Sequence, residues 1–170
     1  MLAFRVDLRL PQGIELQDYA YTNQVISRFF ESFTKKIQYH QERVGERGYA
    51  RGCKVRYVWS REVGQGGKQH YHLLMLLNRD AYYTLGRLGS DRVNMISRIE
   101  ESWAGALGVS VDQVDGLLHI PQNAEYRVDR HVRRGDVDVL PVLFNRASYL
   151  CKVAAKSFGD RQRGFGTSRS

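Results

Sequence analysis

The chain has little of three features that mark secreted, membrane or cysteine-metal proteins. Its two cysteines, Cys53 and Cys151, show neither paired spacing nor a metal-binding pattern, which predicts reduced structural thiols. No apolar run approaches the roughly 20 residues that span a bilayer. Residues 1–10 alternate charged and apolar side chains and lack the apolar core of a signal peptide. We therefore expect a cytoplasmic protein with no membrane partner.

The sequence also lacks internal repeats, heptad arrays and any low-complexity linker that would divide it into domains. Its 170 residues are enough to bury one hydrophobic core. We expect a single domain over residues 1–160. Residues 161–170, which carry Arg161, Arg163 and Arg169 among glycine and serine, are expected to form a flexible basic tail with non-specific phosphate contacts.

Acidic residues are the scarcer of the two charge types. There are 18 aspartates and glutamates against 26 lysines and arginines, which gives a formal net charge of +8. Such a balance favours an anionic partner, and nucleic acid is the commonest one for a basic domain of this size. Basicity alone also fits a protein that merely has solvated faces.

The hydrophobic periodicity changes several times along the chain. Alternation predicts strands, steps of three and four predict helices, and glycine or proline marks the ends. The predicted order is strand 2–10, helix 18–44, a hairpin of strand 54–62 and the histidine strand through 70–77, helix 90–107 begun by Ser90, strand 116–120, two short strands within 126–140, and helix 143–158. This order favours an α+β domain in which helices pack on a central, mostly antiparallel sheet of about five strands.

His70 and His72 open the apolar run Leu73–Leu77 and are the sharpest chemical signal in the sequence. In a strand, side chains two apart lie on one face, so both imidazoles can direct a nitrogen at one ion. The alternative is one histidine hydrogen-bonded in the core and one in solvent. The ligand types suit Mn²⁺, Zn²⁺ or Fe²⁺ at least as well as Mg²⁺.

The hairpin suggests Glu62 as a third ligand. If its loop is the five residues 64–68, Val63 lies opposite Gln69 and Glu62 lies opposite His70, at about 5 Å. A register shift of one residue would move Glu62 to the other face, where it is an ordinary exposed carboxylate. Two imidazoles and one carboxylate leave open positions for water or substrate, as in a catalytic site.

Tyr149 lies on the last predicted helix. Ala147, Leu150, Cys151, Ala154 and Phe158 form the stripe expected to pack on the sheet. Tyr149, Lys152 and Lys156 lie together on the opposite side. A phenol can act as a nucleophile, and nearby ammonium groups stabilise a phenolate or hold phosphates. The alternative is a tyrosine packed at the helix margin beside two solvated lysines.

These motifs, taken in order, resemble the HUH endonucleases, and most closely the rolling-circle replication initiators of filamentous phages and prophages. The matching stretches are Trp59–Glu62, His70–Asn78, Gly116–Asn123 and Phe144–Lys156. The resemblance implies an HUH-type fold, His70 and His72 as metal ligands with Glu62 as the third, and Mn²⁺ or Mg²⁺ as cofactor. It implies Tyr149 as nucleophile, with Lys152 and Lys156 handling phosphate.

The implied activity is nicking and rejoining of single-stranded DNA through a covalent 5′-phosphotyrosine, which starts rolling-circle replication. Single-stranded or hairpin DNA is the implied partner, with a host helicase as a candidate second one. Many such initiators carry a second tyrosine, but Lys152 and Val153 stand at the places where it would lie. We therefore expect one nick followed by one rejoining.

Two other function classes remain open from the sequence. One is a basic DNA-binding regulator without chemistry, and the other is a metal-dependent phosphoesterase that uses water. The glycine-rich loop 64–68 lacks the spacing of a phosphate-binding loop, which excludes an ATPase reading. His119 stands at a predicted strand end from which it can reach the site, but a structural role is favoured.

Overall fold

Alternating apolar side chains form β1 (Leu2–Arg9), an inner strand of an antiparallel sheet. The computed structural model describes residues 1–49, 51–64, 67–87, 89–90, 93–129, 137–154 and 162–168. The other strands are β2 (Arg56–Val63), β3 (Gln69–Leu77), β4 (Leu118–His119), β5 (Glu125–Arg127) and β6 (Phe165–Thr167). Their order is β4-β1-β3-β2-β6, and β5 shares the outer edge of β1 with β4.

Two long helices cover one face of the sheet. They are α1 (Gln24–Gly45) and α2 (Met95–Leu107), and both are amphipathic. The even-numbered side chains of β1 and the odd-numbered ones of β3 form the main core with them. The largest fully buried members of this core include Phe4, Phe29, Phe33, Tyr71 and Trp103. This face is closed by apolar packing and offers no place for the predicted chemistry.

Helix α3 (Leu140–Ala154) packs on the other face of the sheet. Its contacts form a second, smaller core in which Leu143 and Leu150 meet Ala3, Leu74 and Tyr126. His72 and Leu74 point to the same face because they are two apart on β3. The face that carries the histidines is therefore the face on which α3 lies. The α+β class and the antiparallel sheet of about five strands with packed helices are confirmed, and the described residues form six strands.

Several predicted boundaries are wrong for local reasons. Residues Asp18–Tyr21 form a separate 3₁₀ turn, so α1 starts at Gln24. Asn94, not Ser90, caps α2, because its side chain accepts from the Ser97 N–H while the Ser97 hydroxyl accepts from the Asn94 N–H. The last helix starts at Leu140, which puts Pro141 in its first turn, where its missing N–H costs nothing.

Cys151, which was predicted to pack on the sheet, is exposed on α3. Val93, within the predicted helix 90–107, precedes α2 and is 71% exposed. Within 126–140 the described residues hold one short strand, β5, instead of two, while 130–136 lie outside the described residues. The prediction of a flexible tail fails at 165–167, where β6 pairs with β2. No described helix is long and apolar enough to cross a membrane.

The seating of β6 predicts a large difference between two glycine substitutions. A Cβ at position 166 would lie 2.5 Å from Nε1 of Trp59, whereas one at position 105, on the exposed side of α2, would meet nothing within 4 Å. We expect Gly166→Ala to lower the free energy of unfolding by about 1–3 kcal/mol as β6 is displaced. We expect Gly105→Ala to raise it by about 0.5–1 kcal/mol. Urea denaturation measures both, and equal effects would contradict the seating of β6.

Candidate functional site

The hairpin register places Glu62 where the sequence predicted it. Glu62 lies opposite His70, and Val63 lies opposite Gln69, so the five-residue loop and its register are confirmed. Glu62 and both histidines consequently share the face that carries α3. The carboxylate itself makes a diagonal contact, because Glu62 Oε2 lies 3.0 Å from Nε2 of His72.

Asp7 is the residue that sequence reasoning missed. It is the β1 neighbour of His72, and its Oδ1 lies 2.8 Å from Nδ1 of His72. The same Oδ1 accepts from Arg5 at 3.2 Å, and Oδ2 lies 3.4 Å from Nδ1 of His119 on β4. A buried carboxylate thus holds two histidines and an arginine on one face. With Nδ1–H donated to Asp7, the imidazole of His72 directs Nε2 toward Glu62.

The network shifts the pKa of each central group in a definite direction. The hydrogen bond to Asp7 raises the pKa of His72, against burial, and Glu62 raises it further. Burial alone would raise the pKa of Asp7, but the hydrogen bond and charge of His72, together with Arg5, bring it below its usual value. Below the raised pKa of His72, its imidazolium and the Asp7 carboxylate form an ion pair.

His70 has the opposite tendency. Burial lowers its pKa, and the charges of Arg9 and His72 lower it further. A neutral imidazole is the form that binds a metal. The ring of His70 lies beside Gly64, since a Cβ placed on Gly64 would lie 3.6 Å from its Cε1. The imidazole of His70 is therefore turned toward the loop that joins β2 and β3.

The spacing of the His72 and Glu62 ligand atoms is compatible with a divalent ion. Two ligand atoms about 2.1 Å from an ion and at right angles to each other are about 3 Å apart. The 3.0 Å between Nε2 of His72 and Oε2 of Glu62 matches that spacing. Within the described ranges, no three His, Cys, Asp or Glu side chains stand together as a ready metal site. A three-ligand centre therefore requires His70 to turn from Gly64 toward its cross-strand neighbour Glu62.

Asp7 also fits a metal centre as a supporting group. Metal-binding histidines usually donate their second ring N–H to a carboxylate, which fixes the tautomer and the orientation of the ring. His72 does this with Asp7 at 2.8 Å. The signal for Asp7 in the sequence is its place in the charged, odd-numbered row of β1, two residues from Arg5 and Arg9. Its partner His72 is 65 residues away in the sequence, so no local pattern predicts the contact.

Helix α3 lies next to this cluster. On α3, Leu150 is fully buried against the sheet while its neighbour Tyr149 is 58% exposed. Leu74, which α3 covers, is two residues along β3 from His72, about 7 Å. Lys152 is exposed on the same helix, and Lys156 lies outside the described residues. The structure therefore brings His72, Glu62 and Asp7 into contact and leaves the His70 ring beside Gly64. It puts Tyr149 on the adjoining helix, without a described hydrogen bond from Tyr149 to these side chains.

The stripe predicted for this helix is only partly correct. Ala147 and Leu150 pack on the sheet together with Leu143, whereas Cys151 is exposed. The Ala154 side chain and residue Phe158 lie outside the part of the chain that the structure describes. Tyr57 and Trp59 face the covered side of the sheet, where Tyr57 stacks on Phe30 with ring centroids 3.5 Å apart. Trp59 therefore belongs to the main core, and Tyr57 packs against it.

The ion pair gives the metal-free protein a pH dependence whose sign is fixed. Because the folded pKa of His72 lies above its unfolded value of 6.5, its stabilising contribution is complete below pH 6.5 and is lost as the pH rises through the folded pKa. In EDTA, we expect His72→Gln to cost more free energy of unfolding at pH 6 than at pH 9. Urea denaturation of both proteins measures this. A cost that is larger at pH 9 would contradict the ion pair.

Comparison with known proteins assigns the chain to a family. Residues 1–168 match the YagK/YfjJ C-terminal domain. Two Escherichia coli K12 proteins are similar: "Uncharacterized protein YagK" is 35% identical over 99% of this chain and 83% of its own length. "Uncharacterized protein YfjJ" is 33% identical over 99% of this chain and 84% of its own length. No solved structure matches significantly. The chain belongs to the YagK/YfjJ C-terminal domain family.

Proposed function

We propose that the protein is a metal-dependent endonuclease that nicks and rejoins a specific single DNA strand through a covalent 5′-phosphotyrosine, and so initiates rolling-circle replication. One observation carries the proposal. An imidazole–carboxylate cluster lies on the sheet face that α3 partly covers, and this helix exposes a tyrosine beside the cluster. The resemblance of the ordered motifs to the HUH endonucleases supports the same chemistry.

His72, Glu62 and His70 would hold the divalent ion, Mn²⁺ or Mg²⁺. The bound ion supplies Lewis acidity toward the scissile phosphate. Asp7 would keep His72 in the tautomer whose Nε2 is free to bind the metal. Glu62 already lies against that nitrogen. Because the metal-free pair shares a proton, ion binding would release it.

Tyr149 would attack the phosphorus atom through its phenolic oxygen. A tyrosine-oxygen-to-phosphorus bond forms, the bond from phosphorus to the 3′-oxygen breaks, and the 3′-hydroxyl leaves carrying the proton that the phenol gives up. The product is a phosphodiester of about the same energy, so the free 3′-hydroxyl can reverse the step and reseal a strand. Lys152, one turn further along α3 and exposed, would contact the phosphate.

The two rival functions differ from this one in a single denaturing gel. The protein is incubated with Mn²⁺ and with end-labelled single strands from the intergenic region of its own replicon. The proposal predicts a protein band shifted by attached DNA, which EDTA suppresses. Cleavage without a shifted band would favour the phosphoesterase that uses water. Binding without cleavage, with either strand and several metals, would favour the regulator.

Glu62 is the least constrained part of the proposed metal centre. Its carboxylate is half exposed, and its hydrogen bond is to His72 rather than to His70, its cross-strand neighbour. If it is a ligand, Glu62→Gln weakens Mn²⁺ binding by tenfold or more, with the loss of one anionic donor. Unchanged Mn²⁺ affinity in that variant would place the third ligand elsewhere.

A further inference from the structure

A cleft lies against His70, at the end of the sheet where the loop joins β2 and β3. It has a volume of about 530 Å³, within the range of small-molecule sites. We propose that this cleft binds one nucleotide of the single strand, next to the phosphate held at the candidate metal centre. The choice of DNA as ligand rests on the proposed function. The cleft itself is argued from its lining.

Three segments build the cleft. Arg9, Leu10 and Gln12 come from the end of β1, while Gly64, Lys68 and His70 come from the hairpin. The loop before β4 adds Gly116 and Leu117, so the lining contains two leucines, one amide and two cations beside His70. No carboxylate lines it within the described residues. Apolar walls for a base and cations for a phosphate are what a nucleotide requires.

Arg9 is the cation whose position is best fixed. Its backbone N–H donates to the Leu117 carbonyl at 3.0 Å, and its carbonyl accepts from Nε1 of Trp103 at 2.8 Å. In the sheet it lies opposite His70. The Arg9 side chain is nevertheless exposed. Because the backbone is already fixed, only the rotamers of the exposed Arg9 side chain have to be ordered when its guanidinium binds a phosphate.

Lys68 provides the second cation from the facing side. Its Nζ donates to the Pro11 carbonyl at 3.1 Å, which holds the side chain across the cleft. An ammonium group has three donors, so two remain for a ligand. The hairpin loop positions it through the Gly64 N–H, which donates to the Lys68 carbonyl at 2.9 Å. The two cations thus reach the cleft from β1 and from the hairpin.

His70 connects the cleft to the metal centre. Arg9 and Glu62 are its two cross-strand neighbours, one on each side. They are therefore two strand spacings apart, about 10 Å. One nucleotide with its phosphate bridges that distance. A strand whose phosphate is at His72 and Glu62 would accordingly place its neighbouring nucleotide against Leu10 and Leu117.

The test measures binding without chemistry, in EDTA and in a Tyr149→Phe background. Fluorescein-labelled oligothymidylate of 12 nucleotides is the probe, and fluorescence anisotropy is recorded from 50 to 300 mM NaCl. We expect Arg9→Gln and Lys68→Met each to weaken binding about three- to tenfold at low salt. Each should lower the salt-dependence slope by about 0.7. Lys35→Gln, an exposed lysine of α1 on the other face, is the matched control and should stay within twofold.

The position of the nucleotide site is measured with a smaller probe. Thymidine 5′-monophosphate titrated into ¹⁵N-labelled protein should shift the amide signals of Gly64, Gly116 and Leu117. Shifts confined to the face covered by α1 and α2, where Lys36 and Arg43 of α1 and Arg98 of α2 line another cleft, would overturn the proposal. So would an Arg9→Gln variant that behaves like Lys35→Gln.

These outcomes separate the cleft from the nicking chemistry. Loss of binding in Arg9→Gln together with the predicted amide shifts would establish the nucleotide site even if no covalent adduct forms. If the wild-type protein nicks DNA and the Arg9→Gln variant binds and cleaves DNA equally well, the cleft is not a nucleotide site. The proposed function would still stand.

Discussion

We expect Tyr149→Phe to abolish the DNA-linked protein band of the proposed reaction and to lower strand cleavage by about a thousandfold or more. The phenylalanine ring keeps the shape of the side chain but has no oxygen to bond to phosphorus. The side chain is 58% exposed, so the fold and the melting temperature are unaffected. Single-strand binding in EDTA stays within twofold. The measurements are the denaturing gel and anisotropy on the same preparations.

Tyr39→Phe is the matched control for that substitution. Tyr39 is similarly exposed, at 63%, on α1, which covers the opposite face of the sheet. It should retain both the shifted band and the cleavage rate. A Tyr149→Phe protein that cleaves at the wild-type rate would rule out this tyrosine as nucleophile. The water-dependent phosphoesterase would then be the better account of the face.

Asp7→Asn lowers Mn²⁺ affinity by about 10- to 100-fold, the usual effect of removing a carboxylate that orients a metal-binding histidine. Asparagine keeps the size of the side chain but loses the charge that holds Nδ1–H of His72. The same change leaves the buried guanidinium of Arg5 without its counter-charge. We therefore also expect a loss of about 3 kcal/mol in the free energy of unfolding.

The two effects of Asp7→Asn are measured separately. The electron paramagnetic resonance signal of free Mn²⁺ gives the affinity under conditions in which the variant is folded, and urea denaturation gives the stability. Asp112→Asn, an exposed aspartate in the 3₁₀ turn Val111–Val114, should change neither quantity. Lower stability with unchanged Mn²⁺ affinity would mean that Asp7 serves the fold alone.

What the sequence predicted well depended on local geometry. A five-residue hairpin loop fixes the pairing of its two strands, so the position of Glu62 opposite His70 followed from counting residues. Alternation in β1 and β3 then separated the apolar face from the one that carries the histidines. These inferences need no knowledge of distant contacts.

The features that the sequence did not predict depend on competition between similar local signals or on contacts between residues far apart in the chain. Ser90 and Asn94 are both good helix caps, and only the reciprocal bonds between Asn94 and Ser97 decide for the second. Cys151 fell on the predicted stripe, but α3 meets the sheet along a narrow seam that includes Leu143, Ala147 and Leu150. Asp7 became meaningful only once β1 was paired with β3.

The central claim is that this sheet face uses Tyr149 to hold DNA covalently. Digestion of the DNA-linked band with nuclease and trypsin, followed by mass spectrometry, tests it most directly. Cleavage after Arg146 and Lys152 yields the peptide of residues 147–152, which contains Tyr149 as its single tyrosine. The account predicts a nucleotide 5′-phosphate mass on that peptide. The same mass on a peptide carrying another tyrosine, or cut DNA with no modified peptide, would contradict it.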